Sequence, residues 1–167
     1  MKEIENFFEA GETELGLWRE LKKRGWTITT VESCTGGAVA ARIVNVAGAS
    51  DILRQAFVTY CDEAKQTLAG VSGETLSRHT AVSPETAREM ALGGATAAGA
   101  EVAVSVTGLA GPGGGTTEMP VGLVYVGCAV CGTVRVEEFH FHGSRGAIRK
   151  QAAEAALSLA LKMVLFF

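Results

Sequence analysis

Ser33 and Lys65 carry the first chemical signal in this chain. The run Glu32-Ser33-Cys34-Thr35-Gly36-Gly37 follows the β-branched stretch Thr27-Ile28-Thr29-Thr30-Val31 and precedes the apolar stretch Ala38 to Val44. Ser33 therefore falls on a turn between a strand and a helix, beside backbone N–H groups of the helix start that can hold an oxyanion or a phosphate. The arrangement is that of a nucleophile elbow without the G-x-S-x-G spelling, and equally that of a plain helix cap. Cys34 competes with Ser33 for the role of nucleophile, because a helix N-terminus lowers a thiol pKa.

Lys65 stands five residues after Tyr60, near the start of a helix opened by Asp62 and Glu63. It is either a solvated surface residue or the partner of an activated serine. To act as a base near neutral pH its pKa must fall from about 10.4 towards about 7.5, a differential of roughly 4 kcal/mol that requires burial and a neighbouring cation. Arg145 is the candidate neighbour. An arginine in the first turn of a helix is normally disfavoured by the positive helix end, and a ligand phosphate or carboxylate would remove that conflict.

Other chemistry-bearing residues read more plainly. The segment Gly108 to Thr116 is glycine-rich but lacks the Gly-Lys-Ser/Thr ending of a P-loop, which leaves a backbone cradle. Cys128 and Cys131 have CxxC spacing without a second pair, so packing is the expected role. His140 and His142 alternate along a strand with no third ligand in sequence, so a solvated face is expected and no metal or other cofactor is predicted.

The elements that must position these groups follow from local patterns. A first helix spans the segment punctuated by Phe7, Phe8, Leu15, Leu17, Trp18 and Leu21 and ends at Lys22-Lys23-Arg24-Gly25. Strands are expected over Thr27–Val31, Ala56–Tyr60 and Val102–Val106, and a hairpin over Val121–Val130 and Thr133–Phe141 with its turn at Cys131-Gly132. Ser83-Pro84-Glu85 starts a helix that runs to about Ala98 and contains Gly93 and Gly94, whose cost of about 1 kcal/mol each implies close packing against another backbone. A last helix covers Ser144 to Phe166. Helices alternating with short apolar strands, together with one hairpin, predict an α/β three-layer α/β/α sandwich with a mixed, partly parallel sheet. Ligands in such folds lie outside the carboxyl ends of the strands.

Composition bounds the setting. The chain has 167 residues, 47% hydrophobic and 20% charged, with a net charge of −3. It reads as a single domain over 1–167, with a core large enough to need no cross-link. No Lys/Arg cluster supports a nucleic-acid partner, and no stretch is long enough to cross a membrane. The acidic start and four scattered cysteines predict a cytoplasmic protein with reduced thiols. From Ala155 to Phe167 apolar residues point in more directions than one helix stripe can bury, so a homodimer or higher homo-oligomer is expected, with Phe7, Phe8 and Trp18 as the alternative cover.

Taken together, the runs Glu32 to Gly37, Gly48-Ala49-Ser50, Val58-Thr59-Tyr60 with Glu63-Ala64-Lys65, Ala81-Val82-Ser83, Thr107 to Pro112 with Gly114, and Pro120-Val121-Gly122 resemble the CinA C-terminal domain family in order and spacing, from about residue 5 to residue 165. This is the family of competence-damage-inducible proteins whose stand-alone members are nicotinamide-nucleotide amidohydrolases. The resemblance implies hydrolysis of the carboxamide of nicotinamide mononucleotide, a small-molecule nucleotide substrate, to nicotinic acid mononucleotide and ammonia, a salvage step needing no metal. It implies Ser33 as nucleophile, Lys65 as its activator and Tyr60 as a relay or positioning residue. It further implies that Thr35, Gly36 and Gly37 bind substrate or oxyanion, that Thr107 and Gly108 contact the reacting end, and that Arg145 holds an anionic group. Met119 stands where the family often has Lys, and the additional N-terminal domain of longer members is not expected here. The alternative is a non-catalytic nucleotide-binding or partner-binding domain.

Overall fold

The computed structural model describes residues 9–167. Phe7 and Phe8, expected as cover for the last helix, lie outside the described residues. In chain order the elements are α1 (Glu12–Arg24), β1 (Ile28–Glu32), α2 (Ala38–Val44), a 3-10 turn (Ala49–Asp51), β2 (Leu53–Val58), α3 (Asp62–Ala69), α4 (Gly73–His79), α5 (Pro84–Ala98), β3 (Val102–Gly108), β4 (Leu123–Val130), β5 (Thr133–His140) and α6 (Arg145–Phe166). The five strands form one sheet in the order β2-β1-β3-β4-β5. β1 is parallel to β2 and β3, while β3-β4 and β4-β5 are antiparallel, so the sheet is mixed as expected.

The sheet separates two apolar layers because strand side chains alternate. On one side Ile28 of β1, Val102, Val104 and Val106 of β3 and the even-numbered valines of β4 pack with α1, α2 and α6 around Leu17, Leu21, Ile148 and Leu157. On the other, Val31 packs with Ala69, Leu76 and Met90 of α3, α4 and α5. The expected glycine packing is present. A Cβ on Gly93 would stand 1.6 Å from the Ala69 carbonyl oxygen and one on Gly94 2.3 Å from Val31, so α5 lies against both α3 and the sheet.

Several boundaries differ from the sequence reading. β2 begins at Leu53 and ends at Val58, so Tyr60 lies past the strand rather than in it. β3 continues through Thr107 and Gly108, where pairing with Tyr125 and Val124 extends the ladder. α4 has no counterpart in the expectations: its start is set by Ser72, whose hydroxyl accepts the Thr75 N–H, but its apolar stripe is a single Leu76. Cys128 is fully buried, whereas Cys131 is an exposed turn residue with φ 46°, so packing explains only one of the pair. β5 ends at His140, whose imidazole meets Glu138, and His142 lies beyond the strand.

α6 carries nine buried residues, and α1 covers part of it with Leu17 and Leu21. Trp18, anticipated as part of that cover, packs at the edge of the same core, and its indole N–H donates to the Gly48 carbonyl at 3.1 Å. Leu165, Phe166 and Phe167 remain 57%, 84% and 54% exposed. Among the described residues no helix is long and apolar enough to cross a membrane.

Candidate active site

The three parallel strands end side by side, and their carboxyl ends bring Ser33, the Thr59–Tyr60 segment and Thr107–Gly108 to one edge of the sheet. Ser33 continues the ladder by donating its N–H to the Val106 carbonyl at 2.9 Å. The chain then folds back sharply, with the Gly36 N–H donating to the Ser33 carbonyl at 3.0 Å. Gly36 and Gly37 have φ of 60° and 96°, a left-handed pair that a side chain would strain, which is the reason for Gly-Gly at this point.

Lys65 sits on α3 with its side chain folded inward, 1% exposed. Its Nζ donates to the Thr59 carbonyl at 3.0 Å and to Ser33 Oγ at 3.4 Å. Burial pushes the amine below its ordinary value of 10.5, partly opposed by Asp62, Cys61 and Cys34. Arg145, anticipated as the cation that would depress it, is not among the groups acting on Lys65. Desolvation alone drives the shift.

Arg145 is held elsewhere. Its guanidinium donates to the Gly111 carbonyl at 2.7 Å and to the Tyr60 hydroxyl at 2.9 Å. A backbone carbonyl and a phenol thus meet the cation at the helix start, and they tie the glycine loop to the Tyr60 segment across the mouth of the site. Tyr60 itself is 61% exposed.

The expectation of open N–H groups at the start of α2 is corrected by Glu32. Its side chain is fully buried, and its carboxylate accepts the N–H groups of Gly37, Val39 and Ala40 at 3.0, 3.0 and 2.9 Å. Those donors are saturated from within. Among the described residues no other residue accepts the N–H of Cys34 or of Thr35, and of the two only Cys34 keeps any exposure, 6% against 0%. Thr35 is fully buried and its hydroxyl has no partner.

Thr107 donates its hydroxyl proton to the Ala81 carbonyl at 2.5 Å and offers a reacting group only its lone pairs. Gly108 is required by packing, since a Cβ there would stand 2.6 Å from the Leu123 carbonyl oxygen. Burial pushes the Cys34 thiol up to about 11, so it is protonated at neutral pH and is the poorer nucleophile of the two neighbours.

Arg149 escaped the sequence reading. One helical turn after Arg145, it donates from Nε to the Cys34 carbonyl at 3.1 Å and from Nη2 to the Thr35 carbonyl at 2.7 Å, fixing the turn from the α6 side. The i, i+4 spacing of the two arginines on the last helix was the available signal. Among the described residues no group of three or more His, Cys, Asp or Glu is placed to hold a metal.

Comparisons with known proteins agree with this architecture. The family model for the CinA C-terminal domain matches residues 12–164. A nicotinamide-nucleotide amidohydrolase PncC of Enterobacter agglomerans is 50% identical over 143 residues, covering 85% of this chain and 87% of that protein. A CinA-like protein of Kosmotoga olearia is 50% identical over 145 residues, 87% of this chain but 35% of that protein, so the chain spans about a third of such longer relatives. Among solved structures, the competence/damage inducible protein CihA from Agrobacterium tumefaciens superposes with a TM-score of 0.86 at 38% identity, covering 92% of this chain and 98% of that one. On the fold, the shared segment and this level of identity, the chain belongs to the CinA C-terminal domain family.

Proposed function

We propose that the chain hydrolyses the carboxamide of nicotinamide mononucleotide, releasing nicotinic acid mononucleotide and ammonia, with Ser33 as nucleophile and Lys65 as base. The observation that carries this reading is the buried Lys65 amine within 3.4 Å of Ser33 Oγ. A lysine held in that position with a depressed pKa can take the serine proton as Oγ attacks the amide carbon. The tetrahedral intermediate then carries an oxyanion, for which the N–H of Cys34, the residue after the nucleophile, is the candidate donor. On collapse the C–N bond breaks, and Lys65 returns its proton to the departing nitrogen, which leaves as ammonia. Water attacks the resulting ester, Lys65 again accepts the proton, and Ser33 is regenerated as the carboxylic acid leaves.

The amide substrate is supported by the relative named for that activity at 50% identity over most of both chains. In this reading Tyr60 and Arg145, joined by a hydrogen bond at 2.9 Å, take the nucleotide's polar part. The test is ammonia release from nicotinamide mononucleotide by the purified chain. Turnover that disappears in Ser33→Ala supports the reading. Thermal stabilisation by the nucleotide without any product would favour a binding domain instead, and a Ser33→Ala variant as active as the parent would overturn Ser33 as the nucleophile.

A further inference from the structure

Arg149 is half-buried on α6 and lines a cavity of about 1030 Å³ that Gly36 and Gly37, at the back of the Ser33 turn, also line. Its hydrogen bonds run to carbonyls and not to carboxylates, from Nε to Cys34 at 3.1 Å and from Nη2 to Thr35 at 2.7 Å. A planar guanidinium spans two successive carbonyls in this way, whereas a lysine ammonium has no fixed fork with which to do so. Arg145, one helical turn earlier, bonds Gly111 and Tyr60 instead and takes no part here.

The bond to Thr35 continues along the backbone. The Thr35 carbonyl shares a peptide group with the Gly36 N–H, which points the opposite way across the trans peptide and donates to the Ser33 carbonyl at 3.0 Å. The Ser33 carbonyl in turn shares its peptide group with the Cys34 N–H, the candidate oxyanion donor, which no other described residue accepts. The donors therefore run head to tail: guanidinium to Thr35 carbonyl, Gly36 N–H to Ser33 carbonyl, Cys34 N–H to the reacting oxygen. A carbonyl that accepts a hydrogen bond makes the N–H of its own peptide a stronger donor, by about 10–30% at each step. This series starts from a full positive charge, where a hydrogen bond is about twice as strong as between neutral groups. The other bond of the fork, to the Cys34 carbonyl, fixes the peptide that lies between the two polarised ones.

We propose that Arg149 is a positioning residue for the hydrolysis, holding and polarising through two peptide groups the Cys34 N–H that meets the oxyanion. It acts through the backbone and not on the substrate. The proposal rests on the reading of Ser33 as nucleophile. Because the reacting oxygen carries its negative charge only in the transition state and the intermediate, Arg149 governs kcat and leaves KM nearly unchanged.

Two rates test this: turnover of nicotinamide mononucleotide, and phosphonylation of Ser33 by a fluorophosphonate, in which Oγ displaces fluoride from phosphorus and no amide is needed. Arg149→Ala should lose about 10²-fold in kcat and in phosphonylation rate, with KM within about twofold of the parent. Ethylguanidinium, which replaces the atoms removed and has the cavity to enter by, should restore both rates by about tenfold, and ethylammonium should not. Lys150→Ala, an exposed neighbour lining the same cavity, should leave both rates unchanged. Arg149→Lys, which cannot span both carbonyls, should fall several-fold, and it is the deciding variant if Arg149→Ala fails to fold. Phosphonylation that depends on Arg149 in a chain that leaves the nucleotide intact would uphold this role and overturn the substrate instead. A parent Ser33 that neither turns over the nucleotide nor is phosphonylated would overturn both. Parent-like rates in the deciding variant, a loss confined to KM, or a loss that ethylguanidinium relieves no better than ethylammonium would overturn the role of Arg149 alone.

Discussion

Glu32 accepts the Gly37 N–H at 3.0 Å, placing a buried carboxylate directly inside the helix start that follows the nucleophile turn. With Val39 and Ala40 donating to the same carboxylate, the positive end of α2 is neutralised by the residue that immediately precedes Ser33. The backbone of Glu32 also accepts the Thr59 N–H at 2.8 Å, so one residue joins the Ser33 turn to the segment whose carbonyl receives Lys65. Glu32→Gln keeps the shape but replaces one acceptor oxygen with a donor facing N–H groups. Chemical denaturation should show a loss of about 1–3 kcal/mol, and hydrolytic activity should fall through kcat more than through KM.

Ser33→Ala is expected to lose roughly 10³-fold or more in kcat with a melting temperature close to the parent, because the residue is half-buried and only its hydroxyl is removed. Cys34→Ala should retain most of the activity, since burial holds that thiol protonated with a pKa of about 11. Steady-state kinetics on both variants checks this, and the reverse ranking would move the nucleophile to Cys34.

Lys65 should leave a signature in the pH dependence of both activity and stability. Burial holds its pKa in the fold below the unfolded value of 10.5. Between the two values the unfolded chain binds more protons than the native one, so this residue makes stability rise with pH across that window. Below the window both states are protonated, and the buried charge is a constant destabilising contribution. Lys65→Met is therefore expected to be at least as stable as the parent at neutral pH, to lose the rise on the alkaline side, and to be inactive. Denaturation curves from pH 6 to about 10, alongside the acid limb of the kcat profile, provide the measurement.

Gly93→Ala should be disproportionately harmful for so small a change. The added methyl would stand 1.6 Å from the Ala69 carbonyl oxygen, which requires α3 and α5 to separate. Because α3 carries Lys65, the loss in stability, about 3 kcal/mol or more, should be accompanied by reduced activity. Gly99→Ala, with no heavy atom within 4 Å of the added methyl, is strained only by its positive φ of 59° and should be milder. Thermal melts of the two variants make the comparison.

The exposed end of α6 is expected to drive self-association. Phe166 is 84% exposed and Phe167 54%, although the latter ring also meets Trp26 edge-on at 6.4 Å between centroids. Light scattering should return a multiple of the 17.4 kDa chain mass at micromolar concentration. Replacing both phenylalanines by Ser should reduce it to the single-chain value, and a parent chain that is already monomeric removes the expectation.

Signals of short range were legible in the sequence. Ser83-Pro84 opens α5, Ser144 opens α6, and Gly25 closes α1 in a left-handed conformation with φ 66°. The β-branched run around Ile28–Val31 became β1, paired on both sides, and Gly36-Gly37 the tight turn after Ser33. Each of these depends on capping, backbone freedom or side-chain alternation within a few residues, which composition along the chain records directly. What tertiary structure alone decided has longer reach. Lys65 reads as a polar residue in an acidic helical turn, and only the packing of α3 beneath Ser33 makes it a buried amine with a depressed pKa. Arg145 turned from a free cation into a link between Tyr60 and Gly111, and Arg149 became a support of the nucleophile turn from a position 115 residues after Cys34. Glu32 looked like one more polar residue at a strand end. Its carboxylate is inside because residues alternate across β1, which turns position 32 toward α2 and gives the helix start its anion from within the protein.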